Sequence, residues 1–242
     1  MSIWGKILGG AAGFAVGGPL GALLGAMAGH AVDQYRDSEL IPSDSTRQVT
    51  FTIAVIVLSA KMAKADGVVT RDEIAAFRRV FQIPPHEVRN VGRVFDMARS
   101  DSAGYEPYAE QVARLFRGHP QVLEDLLGAL FHIALADGSL HTRELEFLEH
   151  VAEIFGFSEA DFDRIKSIHV GPDAADPFTV LGLAHDASDQ EIKSTYRKLI
   201  RENHPDKLIA EGLPQEFIDV ANEKMKAING AYDKIAKQRG LI

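Results

Sequence analysis

Near the C-terminus, His204-Pro205-Asp206 sets an imidazole and a carboxylate on either side of a residue with a locked backbone angle. Such a tripeptide has no reaction of its own. It can present a compact polar tip that works on a partner through shape and hydrogen bonding. Just upstream, Lys193, Arg197 and Arg201 recur every fourth residue, Lys198 lies beside them, and Lys207 follows the tripeptide. On a helix these form one basic face, able to steer toward and pair with an acidic patch. Taken singly, the stripe is a solvated helix face and the tripeptide an ordinary turn. A second pattern occurs twice. Ala65-Asp66-Gly67, with Thr70 and Glu73, is echoed 71 residues later by Ala136-Asp137-Gly138, with His141 and Glu144. Asp-Gly is a helix-ending turn, and Thr70 with Glu73 has the spacing of a capping box. The alternating carboxylates of a Ca²⁺ loop are missing. His132, His141, His150 and His169 share no compact metal-ligand spacing, and His132 falls inside an apolar helix where packing is its expected role.

These residues require helices to hold them. After an extended start, Asp176-Pro177-Phe178-Thr179-Val180-Leu181 opens a short apolar helix. Ser188 and Glu191 have capping-box spacing and open the helix that carries the basic face, with Ile192, Tyr196, Leu199 and Ile200 on its apolar side. The tripeptide and Lys207 then form a loop. Pro214 suits the start of a last helix whose apolar face is Phe217, Ala221, Met225, Ile228, Tyr232 and Ile235. The result is a helical hairpin with a polar tip. Upstream, helical spacing predicts helices over Val49–Lys64, Pro84–Arg99, Tyr105–Arg117, Pro120–Ala136, Thr142–Phe155 and Ser158–Ile168. Val49–Lys64 is apolar almost all round, which suits a buried core helix. No alternating run suggests a strand, so the fold class is all-α.

Composition narrows the functions. The chain has 242 residues, no cysteine and a formal net charge of −8. It therefore has no iron–sulfur cluster, thiol catalyst or zinc–thiolate site, and the net charge argues against nucleic acid as a partner. No nucleophile–base pair, phosphate loop or two-carboxylate site emerges, so the chain reads as a binding protein and not an enzyme. The acidity belongs to the middle. Residues 176–242 are close to neutral, and residues 1–32 carry one charge, Lys6. From Ile7 to Gly29 no charged or amide side chain occurs, and Gly9, Gly13, Gly17, Gly21, Gly25 and Gly29 recur at every fourth position. A helix over this span is roughly 35 Å long, enough for a hydrocarbon core of about 30 Å. Its glycine ridge would let two copies pack closely in a bilayer. Residues 1–32 are thus expected to form a transmembrane glycine-zipper helix that associates as a homodimer. Trp4 lies at one interface, and a one-charge excess favours a cytoplasmic C-terminal side.

The tripeptide, the leading Asp-Pro-Phe-x-Val-Leu-Gly-Leu, the Tyr-Arg-Lys-Leu helix and the closing Ile-Asn-x-Ala-Tyr together resemble the J-domain of the DnaJ family over residues 174–242. The repeated Asp-Gly turns resemble the TerB-like all-α domain, over residues 45–170. The opening Trp4-Gly5-Lys6, the Gly29-His30 leading to Asp33 and the long insertion Lys207–Glu216 resemble the DjlA type of these proteins, so the likeness covers essentially the whole chain. The link from Ile168 to Ala175 departs from some relatives, which have a glutamine/glycine-rich spacer there, and a tighter coupling of the two domains is expected. The short fourth helix of many J-domains is expected to be absent.

The resemblance implies a co-chaperone in the inner membrane of a Gram-negative bacterium, single-pass, with its soluble domains in the cytoplasm. Its J-domain would bind a DnaK-type chaperone through His204, Pro205, Asp206, Lys193, Arg197, Lys198, Arg201 and Lys207, and stimulate ATP hydrolysis by it. The resemblance names no client protein. It also implies a divalent-metal option at Asp66, Glu73, Asp137 and Glu144, with no other cofactor. The rival reading is a metal-sensing or envelope-signalling adaptor built on the TerB-like domain. Metal-dependent hydrolysis at those turns would lack histidine support.

Overall fold

The structure is a computed structural model that describes residues 20–21, 44–66, 74–75, 77–78, 83, 85, 88–101, 104–170, 175–211, 213–214 and 217–241. Its helices are α1 (Asp44–Asp66), α2 (Val88–Ser100), α3 (Glu106–Leu115), α4 (Pro120–Ala134), α5 (Thr142–Phe155), α6 (Glu159–His169), α7 (Pro177–Leu181), α8 (Asp189–Glu202), α9 (Pro205–Glu211) and α10 (Ile218–Arg239). A 3₁₀ turn, Leu135–Asp137, follows α4, and no strand occurs among the described residues.

The helix that is apolar all round becomes the axle of the bundle. From Phe51 to Met62 every side chain of α1 is buried, and the helix touches α2, α3, α4, α5 and α9. Of its buried polar residues, Thr52 and Lys61 find partners, whereas the Ser59 hydroxyl has none among the described residues. Thr52 Oγ1 donates to the Gln48 carbonyl at 3.0 Å, and Lys61 Nζ donates to Asp101 Oδ2 at 3.0 Å. The same carboxylate oxygen accepts from the Tyr108 hydroxyl at 2.8 Å, so burial and this bond push the Tyr108 pKa up. Every residue of α4 from Val122 to Phe131 is buried, which places Glu124 and Asp125 inside the protein.

The hairpin forms as its spacing predicts. Ser188 N–H donates to Glu191 Oε2 at 2.8 Å, and Glu191 N–H returns to Ser188 Oγ at 3.3 Å. Four groups left open by the first turn of α8 are thereby reduced to two. The hairpin core joins Ile192 of α8 to Ile228, Ala231 and Ile235 of α10, with Phe178, Val180 and Leu181 of α7 beneath. Tyr196 and Tyr232 stack at 3.9 Å.

Three expectations change. The expected loop shrinks to His204, because Pro205 opens α9 and Lys207 is helical. The last helix begins at Ile218 and not at Pro214, whose carbonyl accepts the Phe217 N–H in a tight turn. The apolar face read along α10 is also divided. Ile228 and Ile235 belong to the hairpin, while Phe217 and Ala221 join the core of the bundle.

Leu20 and Gly21 are helical and buried. Leu20 lies in the bundle core, and its N–H donates to Gln111 Oε1 at 2.9 Å. The remaining ridge positions, Gly9, Gly13, Gly17, Gly25 and Gly29, lie outside the described residues. No helix among the described residues is long and apolar enough to cross a membrane.

Candidate functional site

The tip is built by the junction of two helices. Helix α8 ends at Asn203, whose side-chain amide donates to the Leu199 carbonyl at 2.8 Å. The His204 carbonyl then accepts from Lys207 N–H at 3.0 Å and Leu208 N–H at 3.1 Å, so α9 starts immediately. Asp206 N–H donates to His204 Nδ1 at 3.2 Å. In the neutral imidazole this leaves the proton on Nε2, which becomes the donor on offer to a partner. The Asp206 carboxylate, 89% exposed, is an acceptor with Oδ2 3.8 Å from His204 Nδ1, and the His204 side chain is 55% exposed. One donor and one acceptor are therefore held a few ångströms apart on a rigid corner.

The basic face stands beside it. Arg197, Lys198 and Arg201 are exposed and Lys193 is half-buried. None of the four makes an ion pair or side-chain hydrogen bond among the described residues. Their charge is therefore uncommitted and available to an acidic partner. Lys207 turns back to Glu211 Oε1 at 3.5 Å, on α9.

The Asp-Gly turns look different. In the second copy, Gly138 adopts φ +88°, a left-handed conformation that glycine accepts without strain. Asp137 Oδ1 accepts the Ser139 N–H at 2.9 Å, which lowers the Asp137 pKa, and its Oδ2 lies 3.3 Å from His141 Nε2. The Glu144 carboxylate accepts the His141 N–H at 3.0 Å at the start of α5. In the first copy Glu73 lies outside the described residues, and Asp66 is described only as the last residue of α1. No group of three histidine, aspartate or glutamate side chains able to hold a metal occurs among the described residues. His132, expected to be packed in its helix, sits at the boundary with α10, Nδ1 3.7 Å from Glu223 Oε2.

The short link led to the expectation of tighter coupling between the two domains, but the residues that make the contact were not read from the sequence. Leu208, Leu213, Phe217, Val220 and Ala221 are buried in the same cluster as Phe51 and the α4 leucines. Phe217 meets the Phe51 ring edge-on at 4.8 Å. Alongside, Lys224 Nζ lies 2.9 Å from Asp125 Oδ1 and 3.1 Å from Glu124 Oε1, and Arg164 grips Glu124 with two bonds of 3.0 and 2.7 Å. Burial opposes the charge on Glu124, yet Lys224 and Arg164 hold its carboxyl down at about 2. Burial pushes Asp125 up to about 6 against the pull of Lys224. The signal was present: apolar residues in the insertion, and a lysine at 224 within an apolar stripe.

Comparison with known proteins matches three family models along the chain. Residues 1–48 match the co-chaperone DjlA transmembrane domain, residues 52–167 the tellurite resistance protein TerB, and residues 176–239 the DnaJ domain. The co-chaperone protein DjlA of Shewanella oneidensis is 33% identical over 265 residues, covering 100% of both chains. That of Photobacterium profundum is 32% identical over 275 residues, covering 98% of this chain and 99% of its own. That of Escherichia coli K12 is 29% identical over 269 residues, covering 99% of each. No solved structure matches.

Proposed function

Since this chain belongs to the DjlA co-chaperone family, with a DjlA transmembrane domain, a TerB domain and a J-domain in order, we propose that it recruits a DnaK-type chaperone to a membrane and stimulates ATP hydrolysis there. It is a co-chaperone and not an enzyme. The observation that carries the reading is the exposed His204–Asp206 corner set beside four uncommitted cations on α8. The basic face supplies long-range attraction and alignment, and the corner supplies the short-range hydrogen bonds. Any ATP chemistry belongs to the partner.

In this reading the N-terminal region matched to a DjlA transmembrane domain crosses the inner membrane of a Gram-negative bacterium once, which requires Leu20 and Gly21 to leave the bundle, where the Leu20 N–H meets Gln111 Oε1. The soluble domains face the cytoplasm, where a DnaK-type chaperone and its ATP would be met. Copies associate through the glycine ridge. The test is steady-state phosphate release by the chaperone with added co-chaperone. His204→Gln removes the ring whose Nδ1 accepts the Asp206 N–H, and should abolish most of the stimulation while circular dichroism and melting stay unchanged. Stimulation by His204→Gln equal to that of an active wild type would refute the reading.

A further inference from the structure

We propose that the TerB bundle is the platform that positions the J-domain tip, and that Leu208, Leu213 and Phe217 are its positioning residues. The inference rests on the co-chaperone reading above and adds the part of the chain that sets its efficiency.

Leu208 comes two residues after Asp206 and is fully buried in the bundle core. The insertion then folds back, Leu213 N–H donating to the Leu208 carbonyl at 2.8 Å, and Leu213 is fully buried as well. Phe217 closes the run against Phe51. Helix α9, which starts with the tripeptide's own proline, thus packs on α1 and α4. Each of these side chains stabilises the docked arrangement by leaving water. Without the bundle Leu208 would be an exposed apolar side chain on a seven-residue helix too short to persist alone, with Leu213 and Phe217 exposed after it. The His204 carbonyl and the Asp206 N–H take part in the first turn of that helix, so the corner is only as ordered as α9 is.

The polar half of the interface fixes register. Lys224, Asp125 and Glu124 have side chains 3, 0 and 9% exposed, and Arg164 from α6 completes the cluster. Buried charges give little net stability, but they heavily penalise any arrangement that separates them. Docking leaves His204, Asp206, Arg197, Lys198 and Arg201 exposed. The contact therefore orders the partner-binding corner and does not occlude it. Loosening it should lower the fraction of molecules with a competent corner, raising the co-chaperone concentration needed for half-maximal stimulation while the maximum stays the same.

The experiment uses the full chain in lipid nanodiscs. It has no cysteine, so Glu149→Cys and Lys237→Cys accept two spin labels cleanly, one on α5 and one on α10. Pulsed-resonance distance distributions should be narrow in the otherwise wild-type chain, broad with Leu208→Ser, and narrow again with Leu208→Met, which keeps the volume and apolarity. In the chaperone ATPase assay, Leu208→Ser should raise the half-saturating concentration roughly 3- to 10-fold with an unchanged plateau, and Leu208→Met should not. If Leu208→Ser fails to melt cooperatively, Phe217→Leu is a smaller lesion at the same contact and should give a smaller shift of the same kind. A broad distribution in the wild type overturns the docking. A wild type that stimulates, with Leu208→Ser or Phe217→Leu broadened but unchanged in half-saturation, overturns the platform alone. A docked wild type that does not stimulate overturns the co-chaperone reading, and the platform falls with it.

Discussion

Lys224→Met is the sharpest test of the charge cluster between α4 and α10. Methionine keeps most of the aliphatic stem, so the packing change is small and the loss is the cation. Lys224 Nζ stands 2.9 Å from Asp125 Oδ1 in a setting where neither side chain is more than 3% exposed. Glu124 keeps its two-bond grip from Arg164, so the damage falls on Asp125. Removing one member of a buried ion pair costs about 3–5 kcal/mol, mostly because the remaining charge has lost its partner. Asp125 can escape part of that cost by taking a proton. Burial already lifts its pKa to about 6, and without Lys224 it rises further above the unfolded value of about 3.9. A group whose folded pKa is raised binds more protons when folded, so the variant loses stability as pH rises through that window, by at most about 1.4 kcal/mol per pH unit. The deficit against wild type should therefore be about 3–5 kcal/mol at pH 7.5 and smaller by about 1–3 kcal/mol at pH 5. Urea unfolding of the chain in detergent, followed by circular dichroism, measures both. Adding Asp125→Asn to Lys224→Met should recover part of the loss at pH 7.5 and little at pH 5. A deficit under about 1 kcal/mol at pH 7.5, or one that grows on acidification, would refute the reasoning.

Three further outcomes follow from the same geometry. Burial and the nearby Lys224 lower the pKa of His169 to about 4, below an unfolded value of about 6.5. Its stacked contact with Phe131 therefore adds stability that is whole above pH 6.5 and lost as pH falls toward 4. The ring keeps some solvent contact, so His169→Phe should flatten the acid limb of the urea midpoint by about 1–2 kcal/mol, and an unchanged limb would count against it. Arg197→Ala should raise the half-saturating concentration for chaperone stimulation and make it less salt-dependent, since one of four uncommitted cations is removed; equal salt slopes would exclude a role for that face. Asp137→Ala should lower Tm by breaking the bond to Ser139 N–H, whereas a metal-dependent rise in Tm that vanishes in the variant would mean that the turn is a ligand site.

Local physics was legible and long-range physics was not. The Ser188–Glu191 box and the all-round apolar α1 follow from spacing alone, because each depends on neighbours within a few positions, and spacing also put Tyr196 and Tyr232 on the apolar faces of their helices. The tip residues were legible as types but not in conformation: a proline suits the first position of a helix, but what holds α9 is Leu208 meeting α1 far away in sequence. The same reason hid the split face of α10. At 22 residues the helix is longer than its 14-residue partner α8, so its first turns need another surface, and a periodic stripe does not say which. Lys224 looked like a polar interruption in that stripe. Its reason for being there is a pair of carboxylates roughly 100 positions earlier. The acidic repeat read as turns and caps by spacing, with a metal option only by resemblance, and in the second copy Asp137 and Glu144 each hold a backbone N–H.

The short link between the domains explains why such an interface suffices. Residues 170–176 separate α6 from α7, and at no more than about 3.5 Å each they span at most about 25 Å. A tether of this length keeps the J-domain at an effective concentration in the millimolar range beside the bundle. Docking therefore does not repay the full entropy of bringing two molecules together, and a few buried side chains shift it to near completion. Apolar contact alone would leave the docked position loosely specified, because Leu208, Leu213 and Phe217 could slide along the leucines of α4 at modest cost. Sliding α10 by one turn moves Lys224 about 5.4 Å from Asp125 and strands two buried charges, which is the costly outcome. The apolar strip thus supplies the affinity and the charge cluster the register. Together they turn a tethered module into one with a single orientation, its signature corner facing outward.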